Sequence, residues 1–203
     1  MQIRSLAVVG AFELTPQVFG DDRGVFAEWY RFEDLHSALG HRLQLAQANV
    51  SVSRAGTVRG VHYADTPPGQ AKYVTCVRGA VWDVIVDIRV GSPDFGRWDA
   101  VRLDDVDRRA VYLSEGLGHA FVALTDDATV TYLCSQVYNP TGEHAINPLD
   151  PELAIDWPPG LDLLLSPKDT QAPTLSQARQ AGLLPDYATC RAYTDSLRSH
   201  ADR

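Results

Sequence analysis

The sequence predicts an all-β domain, a sandwich or a jelly roll, and three observations predict it. Apolar and β-branched residues come in short runs of about four to eight, the length of strands rather than of helices. Strong turn signals separate the runs, drawn from 15 Gly and 12 Pro in 203 residues. The runs fit one core, because a chain of this length that is 45% hydrophobic can bury roughly 70% of its unfolded surface without disulfides or a structural metal.

Taken in order, the first strand is expected over Ala7 to Leu14. The turn Gly20-Asp21-Asp22-Arg23-Gly24 leads into a strand over Val25 to Phe32, and Glu33 to Leu39 reads as a short helix. Leu43 to Ser53 follows, then the Arg54-Ala55-Gly56 turn and strands at Val58 to Tyr63, Lys72 to Arg78 and Ala80 to Arg89. Within the last of these, Asp83 and Asp87 are four apart and so share a face, where they need basic partners, backbone donors or a polar cavity. Gly91-Ser92-Pro93-Asp94-Phe95-Gly96 is a turn through its glycine and proline geometry. Beyond it come Trp98 to Leu103, Ala110 to Leu113, His119 to Leu124, the Thr125-Asp126-Asp127 turn and Thr129 to Ser135. From about residue 139 the chain becomes irregular, with Asn139-Pro140-Thr141-Gly142 and Asn147-Pro148-Leu149-Asp150-Pro151 wrapping over the sheet rather than opening a second domain. A helix starts at Thr174, the N-cap, with Gln177 as capping-box partner and Gly182 near its stop. The whole chain, 1–203, reads as one domain.

A formal net charge of -8 opposes nucleic-acid binding, which basic side chains drive by releasing phosphate counterions. It leaves room for a small anionic substrate, because a few convergent Arg and Lys residues can reverse the local field. Three widely spaced cysteines, Cys76, Cys134 and Cys190, without a CxxC pair, argue against a disulfide framework and a zinc cluster. With no signal peptide at Met1 to Leu6 and no run of about 18 apolar residues, a soluble cytoplasmic protein without a membrane partner is expected.

Several side chains could carry chemistry. His62 in Arg59-Gly60-Val61-His62-Tyr63 lies beside a glycine that permits close approach of another backbone or a ligand. His119 enters its strand from Gly116-Leu117-Gly118. Two histidines on separate strands invite a metal reading, but small β-barrel metalloenzymes supply His-x-His, and Ala64 stands where the second histidine would be. Tyr132 can act as an acid only if it shares a pocket with a base, and Tyr138 follows six residues later. Lys72, Arg23, Arg59 and Lys168 are candidate phosphate or enolate contacts. Asp169 follows Lys168 at a turn or helix start.

As an ordered string, the sequence resembles the dTDP-4-dehydrorhamnose 3,5-epimerase family from about Leu6 to Asp169. The resemblance is carried by Asp22-Arg23-Gly24-Val25-Phe26 with Glu28, Gln47-Ala48-Asn49 with Ser51 and Ser53, Arg59 to Tyr63, and Gln70 to Val74. It continues through Arg78-Gly79, Asp83 to Arg89, Gly91-Ser92-Pro93 with Phe95-Gly96, Gly116 to Phe121, Tyr132 and Ile155-Asp156-Trp157-Pro158. The resemblance implies a cupin-like jelly-roll barrel with a few short peripheral helices, no metal or other cofactor, and a homodimer in which one chain completes the neighbour's site. It makes His62, paired with Asp169, the general base, Tyr132 the general acid, and Lys72 the neighbour of the C4 oxygen. Arg23, Phe26, Glu28, Gln47, Asn49, Arg59, His119, Tyr138, Glu143 and Lys168 fall at positions that contact the nucleotide sugar.

The chemistry implied needs these residue types. A C4 ketone acidifies the hydrogens on C3 and C5, so a base on one face can form an enolate and an acid on the other can return a proton with inversion. Two departures bear on which carbon reacts: Gln47-Ala48-Asn49 replaces the bifunctional enzymes' Gln-Asp-Asn, and Gly116-Leu117-Gly118-His119-Ala120-Phe121 replaces their Gly-Phe-Ala-His-Gly-Phe. Both resemble the antibiotic deoxysugar branch of the family, as does the tail from Ala181 to Cys190. Inversion at C3 of dTDP-4-keto-6-deoxy-D-glucose is therefore the expected reaction, with inversion at both carbons, a 3,4-ketoisomerase and a non-catalytic sugar-binding cupin as alternatives.

Overall fold

The computed structural model describes residues 1–199. Its strands are β1 (Gln2–Ser5), β2 (Ala11–Thr15), β3 (Val18–Asp21), β4 (Gly24–Ala27), β5 (Gln47–Ser53), β6 (Val58–Ala64), β7 (Lys72–Arg78), β8 (Ala80–Val86), β9 (Trp98–Asp104), β10 (Ala110–Leu113), β11 (Gly118–Ala123), β12 (Ala128–Cys134) and β13 (Glu143–Ala145). The helices are α1 (Phe32–Leu39), α2 (Pro167–Thr170), α3 (Leu175–Gln180) and α4 (Tyr187–Ser199). One antiparallel sheet of six runs β1-β2-β10-β7-β12-β5, a second of five runs β13-β6-β11-β8-β9, and β3 with β4 forms a separate hairpin.

The two sheets enclose a jelly-roll interior. At one part of it Val74, Val111 and Val130 of the first sheet meet Val81, Ile85, Leu103 and Phe121 of the second. The outer face of the five-stranded sheet buries Tyr63, Val84, Val86 and Ile88 under Ile146, Leu153, Leu175 and Ala178 of the C-terminal segment. On the outer face of the six-stranded sheet, Leu14, Tyr73 and Tyr112 are covered by Leu35 and Leu39 of α1. With both faces covered, β7 is buried along most of its length, so its sequence is a nearly continuous apolar run rather than an alternating one.

The helix expected from Thr174 is present, and both halves of its capping box form: Gln177 N–H donates to Thr174 Oγ1 at 3.2 Å, and Thr174 N–H donates to Gln177 Oε1 at 2.9 Å. The expected strand over Val25 to Phe32 is corrected: it stops at Ala27, and Phe32 already begins α1. Trp29 and Tyr30, which made that stretch look strand-like, instead lie against Tyr73 with ring centroids 5.8 and 5.2 Å away. The first expected strand begins only at Ala11, after a turn at Gly10 with φ of 95°, and the third only at Gln47. β1, β3, β13 and α4 carry too little apolar patterning to have been anticipated.

Asp83 and Asp87 part company because β8 ends at Val86. Asp87 is held by Arg89, at 2.9 and 2.6 Å, and by Ser92 Oγ at 2.7 Å. Asp83 stays inside the sheet and meets His119.

Gly60 explains how β6 lies so close to β11. Its φ is +128°, and a Cβ there would sit 2.5 Å from Ala120 Cα and 2.5 Å from His119 O. Backbone cannot yield as a side-chain tip can, so Gly60→Ala is expected to cost about 2–4 kcal/mol of stability through overpacking and an unfavourable backbone conformation. A denaturant melt checks this; an unchanged midpoint would show that the strands separate without penalty.

Candidate active site

The polar part of the barrel interior is a cavity of about 460 Å³. β6 supplies His62 and Arg59, β7 supplies Lys72, β5 supplies Gln47 and Asn49, β12 supplies Tyr132, and the C-terminal segment adds Glu143, Lys168 and Asp169. His62 and Tyr132 therefore stand on opposite sheets of the barrel.

His62 Nε2 lies 2.7 Å from Asp169 Oδ1. That contact uses one ring nitrogen and leaves Nδ1 for the cavity. Asp169 is buried at the start of the short helix α2, where Ser166 Oγ donates to its Oδ2 at 2.8 Å. Burial works to raise the Asp169 carboxyl, but the hydrogen bond and charge of His62, the Ser166 hydroxyl and Lys168 outweigh it and hold the group below the usual carboxylate range. An ionised carboxylate in this position fixes the orientation and tautomer of the imidazole ring.

On the facing wall, the Tyr132 phenol is pushed up from its ordinary value by burial, with Cys134 and Glu143 adding to the effect and Arg59 opposing it. It is a protonated donor through the neutral range. Lys72 is buried, 8% exposed, and among the described residues no side-chain hydrogen bond or ion pair engages its ammonium. Burial pushes its ammonium down, while the nearby Cys134, Glu143 and Asp83 pull it back up. A cation that few protein groups satisfy is available to an oxygen that gains charge.

Gln47 and Asn49 project to one side of β5 and are tied together: Gln47 Nε2 donates to Asn49 Oδ1 at 2.8 Å, and Gln47 Oε1 accepts from the Tyr138 N–H at 2.8 Å. This brings Tyr138 to the cavity. Arg59 is steadied by a 3.2 Å bond from Nε to Ser53 Oγ.

Four of the expected residues lie outside this cavity. His119 is directly opposite His62 in the β6–β11 register, but its Nε2 engages Asp83 Oδ2 at 2.9 Å and it is 8% exposed. Arg23 and Phe26 belong to the exposed β3–β4 hairpin, Arg23 pairing with Asp21, and Glu28 just beyond it meets Arg31 at 3.3 Å. Thr57, Gln70, His144 and Ser166 line the cavity although sequence reasoning did not single them out. For Ser166 a signal existed: a serine before proline, three residues ahead of an aspartate, is an N-cap pattern. Ala48 points outward, exposed, so the departure at Gln47-Ala48-Asn49 does not alter this chain's own cavity wall. Among the described residues no three His, Cys, Asp or Glu side chains come together as a metal-binding group.

Fold and cavity together define a cupin-like barrel with a polar pocket, lined by His62, Asp169, Lys72 and Tyr132, between its sheets. Residues 5–177 match the sequence model of dTDP-4-dehydrorhamnose 3,5-epimerase. The chain is 60% identical over 194 residues to a dTDP-4-dehydrorhamnose 3-epimerase of Streptomyces niveus, covering 96% of this chain and 93% of that one. It is 56% identical over 198 residues to a dTDP-4-dehydrorhamnose 3,5-epimerase of Mycolicibacterium smegmatis, covering 98% of each. Its structure matches that of ChmJ, a 3′-monoepimerase of Streptomyces bikiniensis in complex with dTDP-quinovose, with a TM-score of 0.94 and 50% identity over 96% of this chain and 98% of that one. The chain belongs to the dTDP-4-dehydrorhamnose 3,5-epimerase family, whose members are isomerases.

Proposed function

We propose that the protein is a cofactor-independent epimerase that inverts C3 of dTDP-4-keto-6-deoxy-D-glucose in the biosynthesis of a deoxysugar for a natural product. The observation that carries this is the placement of a His62–Asp169 dyad and a protonated Tyr132 on facing sheets of one cavity. With Nε2 held by Asp169, His62 Nδ1 takes the C3 proton. Lys72 Nζ receives the charge that develops on the C4 oxygen, a type of contact whose loss typically costs about 10²–10³ in rate. Tyr132 Oη returns a proton to the opposite face of C3, and the phenolate and imidazolium left behind regain their starting states by exchange with water. Arg59 and Lys168, both lining the cavity, neutralise the diphosphate of the substrate. The substrate assignment rests on the dTDP-sugar relatives, and their 3-epimerases favour C3.

The test is proton NMR of dTDP-4-keto-6-deoxyglucose with the protein in deuterated water. Loss of the C3 signal with inversion there alone is the expected result. Changes at C3 and C5 would instead assign the bifunctional reaction, the second reading, which the 56% identical 3,5-epimerase of M. smegmatis supports. Absence of exchange at either carbon would overturn the assignment.

The active form in this reading is a homodimer. Phe19 and Phe26 of the β3–β4 hairpin are 50% and 64% exposed, and Val25 is 59% exposed. Val50 and Val52, on the edge strand β5, are also exposed. Apolar side chains concentrated on a hairpin and a sheet edge call for a covering surface. A second copy supplies it and gives Arg23, Phe26 and Glu28 a cavity to complete, the neighbour's. Replacing both Phe19 and Phe26 by serine is expected to shift size-exclusion elution from dimer to monomer and to lower activity by at least about tenfold. A fully active monomer would refute this. No helix among the described residues is long and apolar enough to cross a membrane, and three buried, unpaired cysteines support a reducing, cytoplasmic setting.

A further inference from the structure

The His62–Asp169 pair has a third member in the geometry. Ser166 is the N-cap of α2, and its hydroxyl does two things at once: it accepts the Asp169 backbone N–H at 3.1 Å and donates to Asp169 Oδ2 at 2.8 Å. A hydroxyl has one proton. With the peptide N–H on the acceptor side, that proton goes to Oδ2, and the torsion of the Asp169 carboxylate is fixed. Oδ1 is thereby presented to His62 Nε2 at 2.7 Å. The turn that carries Ser166 is itself constrained: Pro167 occupies the first helical turn, and both Thr170 N–H and Thr170 Oγ1 donate to Ser166 O, at 2.9 and 3.0 Å. Two oxygens of Asp169 thus have one side-chain partner each, and neither depends on a bound ligand.

We propose that Ser166 is a positioning residue of the reaction: by capping α2 and holding Asp169 Oδ2 with one hydroxyl, it sets the tautomer and aim of His62 from one bond further out. This deepens the epimerase reading and rests on it for its kinetic consequence, but the geometry it describes exists in the free protein. Ser166 itself need not touch the reacting carbons. With glycine in its place the α2 start that carries Lys168 is kept and Arg59 on β6 is untouched, so its loss acts on the chemical step more than on binding.

The test compares Ser166→Gly and Ser166→Thr in the full chain. Glycine is an accepted N-cap and spares the helix start, while threonine keeps the hydroxyl. Ser166→Gly is expected to lower kcat by about 10- to 100-fold, the usual range for removal of an orienting partner, with KM within about twofold of the wild type. Ser166→Thr restores kcat to within about threefold. A second readout needs no substrate: the His62 Nε2–H proton, held by Asp169, gives a slowly exchanging downfield NMR signal that broadens or disappears in Ser166→Gly and returns in Ser166→Thr. Wild-type kcat and an intact downfield signal in Ser166→Gly would overturn the proposal, as would failure of threonine to restore either property in a folded protein. If the wild type does not turn over the dTDP-4-keto sugar, the epimerase assignment falls, while the proton signal still decides whether Ser166 positions the pair.

Discussion

His62→Asn is expected to lower turnover of the dTDP-4-keto sugar by about 10²–10⁴-fold, the contribution typical of one general base. Both deuterium incorporation at C3 and inversion disappear together, because removal of the C3 proton precedes everything else. The fold survives for an identifiable reason. Asp169 is 3% exposed, and deleting its partner outright would leave a buried carboxylate with one fewer donor, at a cost of about 1–3 kcal/mol. The asparagine amide stands near the former Nδ1 and is too short to replace the Nε2–H, but Ser166 Oγ still donates to Asp169 Oδ2 at 2.8 Å and cavity water takes the lost donor's place at Oδ1, so the variant loses the proton acceptor at a cost the fold can bear. Thermal melts of the two proteins and exchange of the C3 proton in deuterated water separate these effects. A folded His62→Asn protein that retains near-wild-type activity would remove His62 from the role of base.

What the sequence made legible follows the range of the forces involved. Runs such as Lys72 to Arg78 and Trp98 to Leu103 were visible as strands, since period and turn chemistry act over a few residues. The Thr174 and Gln177 capping box was legible for the same reason. Val25 to Phe32 reads as a strand because its aromatics resemble strand residues, whereas Trp29 and Tyr30 cover Tyr73, a contact 44 residues distant for the Trp29 carbonyl that accepts from Tyr73 Oη. α4 is not legible in the apolar pattern because of its helical residues only Cys190 is buried, although Asp186, accepting the Thr189 N–H at 2.8 Å, is a capping signal. In the site, the residue types were visible but their pairing was not. His62 and Asp169 are 107 positions apart and His119 and Asp83 are 36 apart, and no local pattern encodes which histidine takes which aspartate. The family resemblance implies the first pairing, whereas the second depends on β8 and β11 lying side by side in the sheet. The hairpin residues Arg23 and Phe26 show the same limit from the other direction: their sequence match is clear, and one chain alone does not bring them to its own cavity.

Tyr132→Phe is expected to separate the two halves of the reaction. The ring packs against the apolar part of the barrel interior, and phenylalanine keeps that contact, so stability changes little. His62 and Asp169 are untouched, and Lys72 still faces the C4 oxygen in the proposed complex, so the C3 proton is still removed. The enolate then has a proton donor only on the face it came from. Deuterium therefore enters C3 with retention of configuration, while inversion falls by about 10²–10⁴-fold. No other change in the site produces that signature: loss of the base stops exchange, and loss of substrate contacts slows exchange and inversion together. It also separates the epimerase from a ketoisomerase, in which the proton must reach a second carbon and the carbonyl must move from C4 to C3, a change visible in the same spectra. Inversion at the wild-type rate in a folded Tyr132→Phe protein would mean that water or another side chain delivers the proton from the six-stranded wall. The opposed-wall arrangement would then account for substrate orientation rather than stereochemistry.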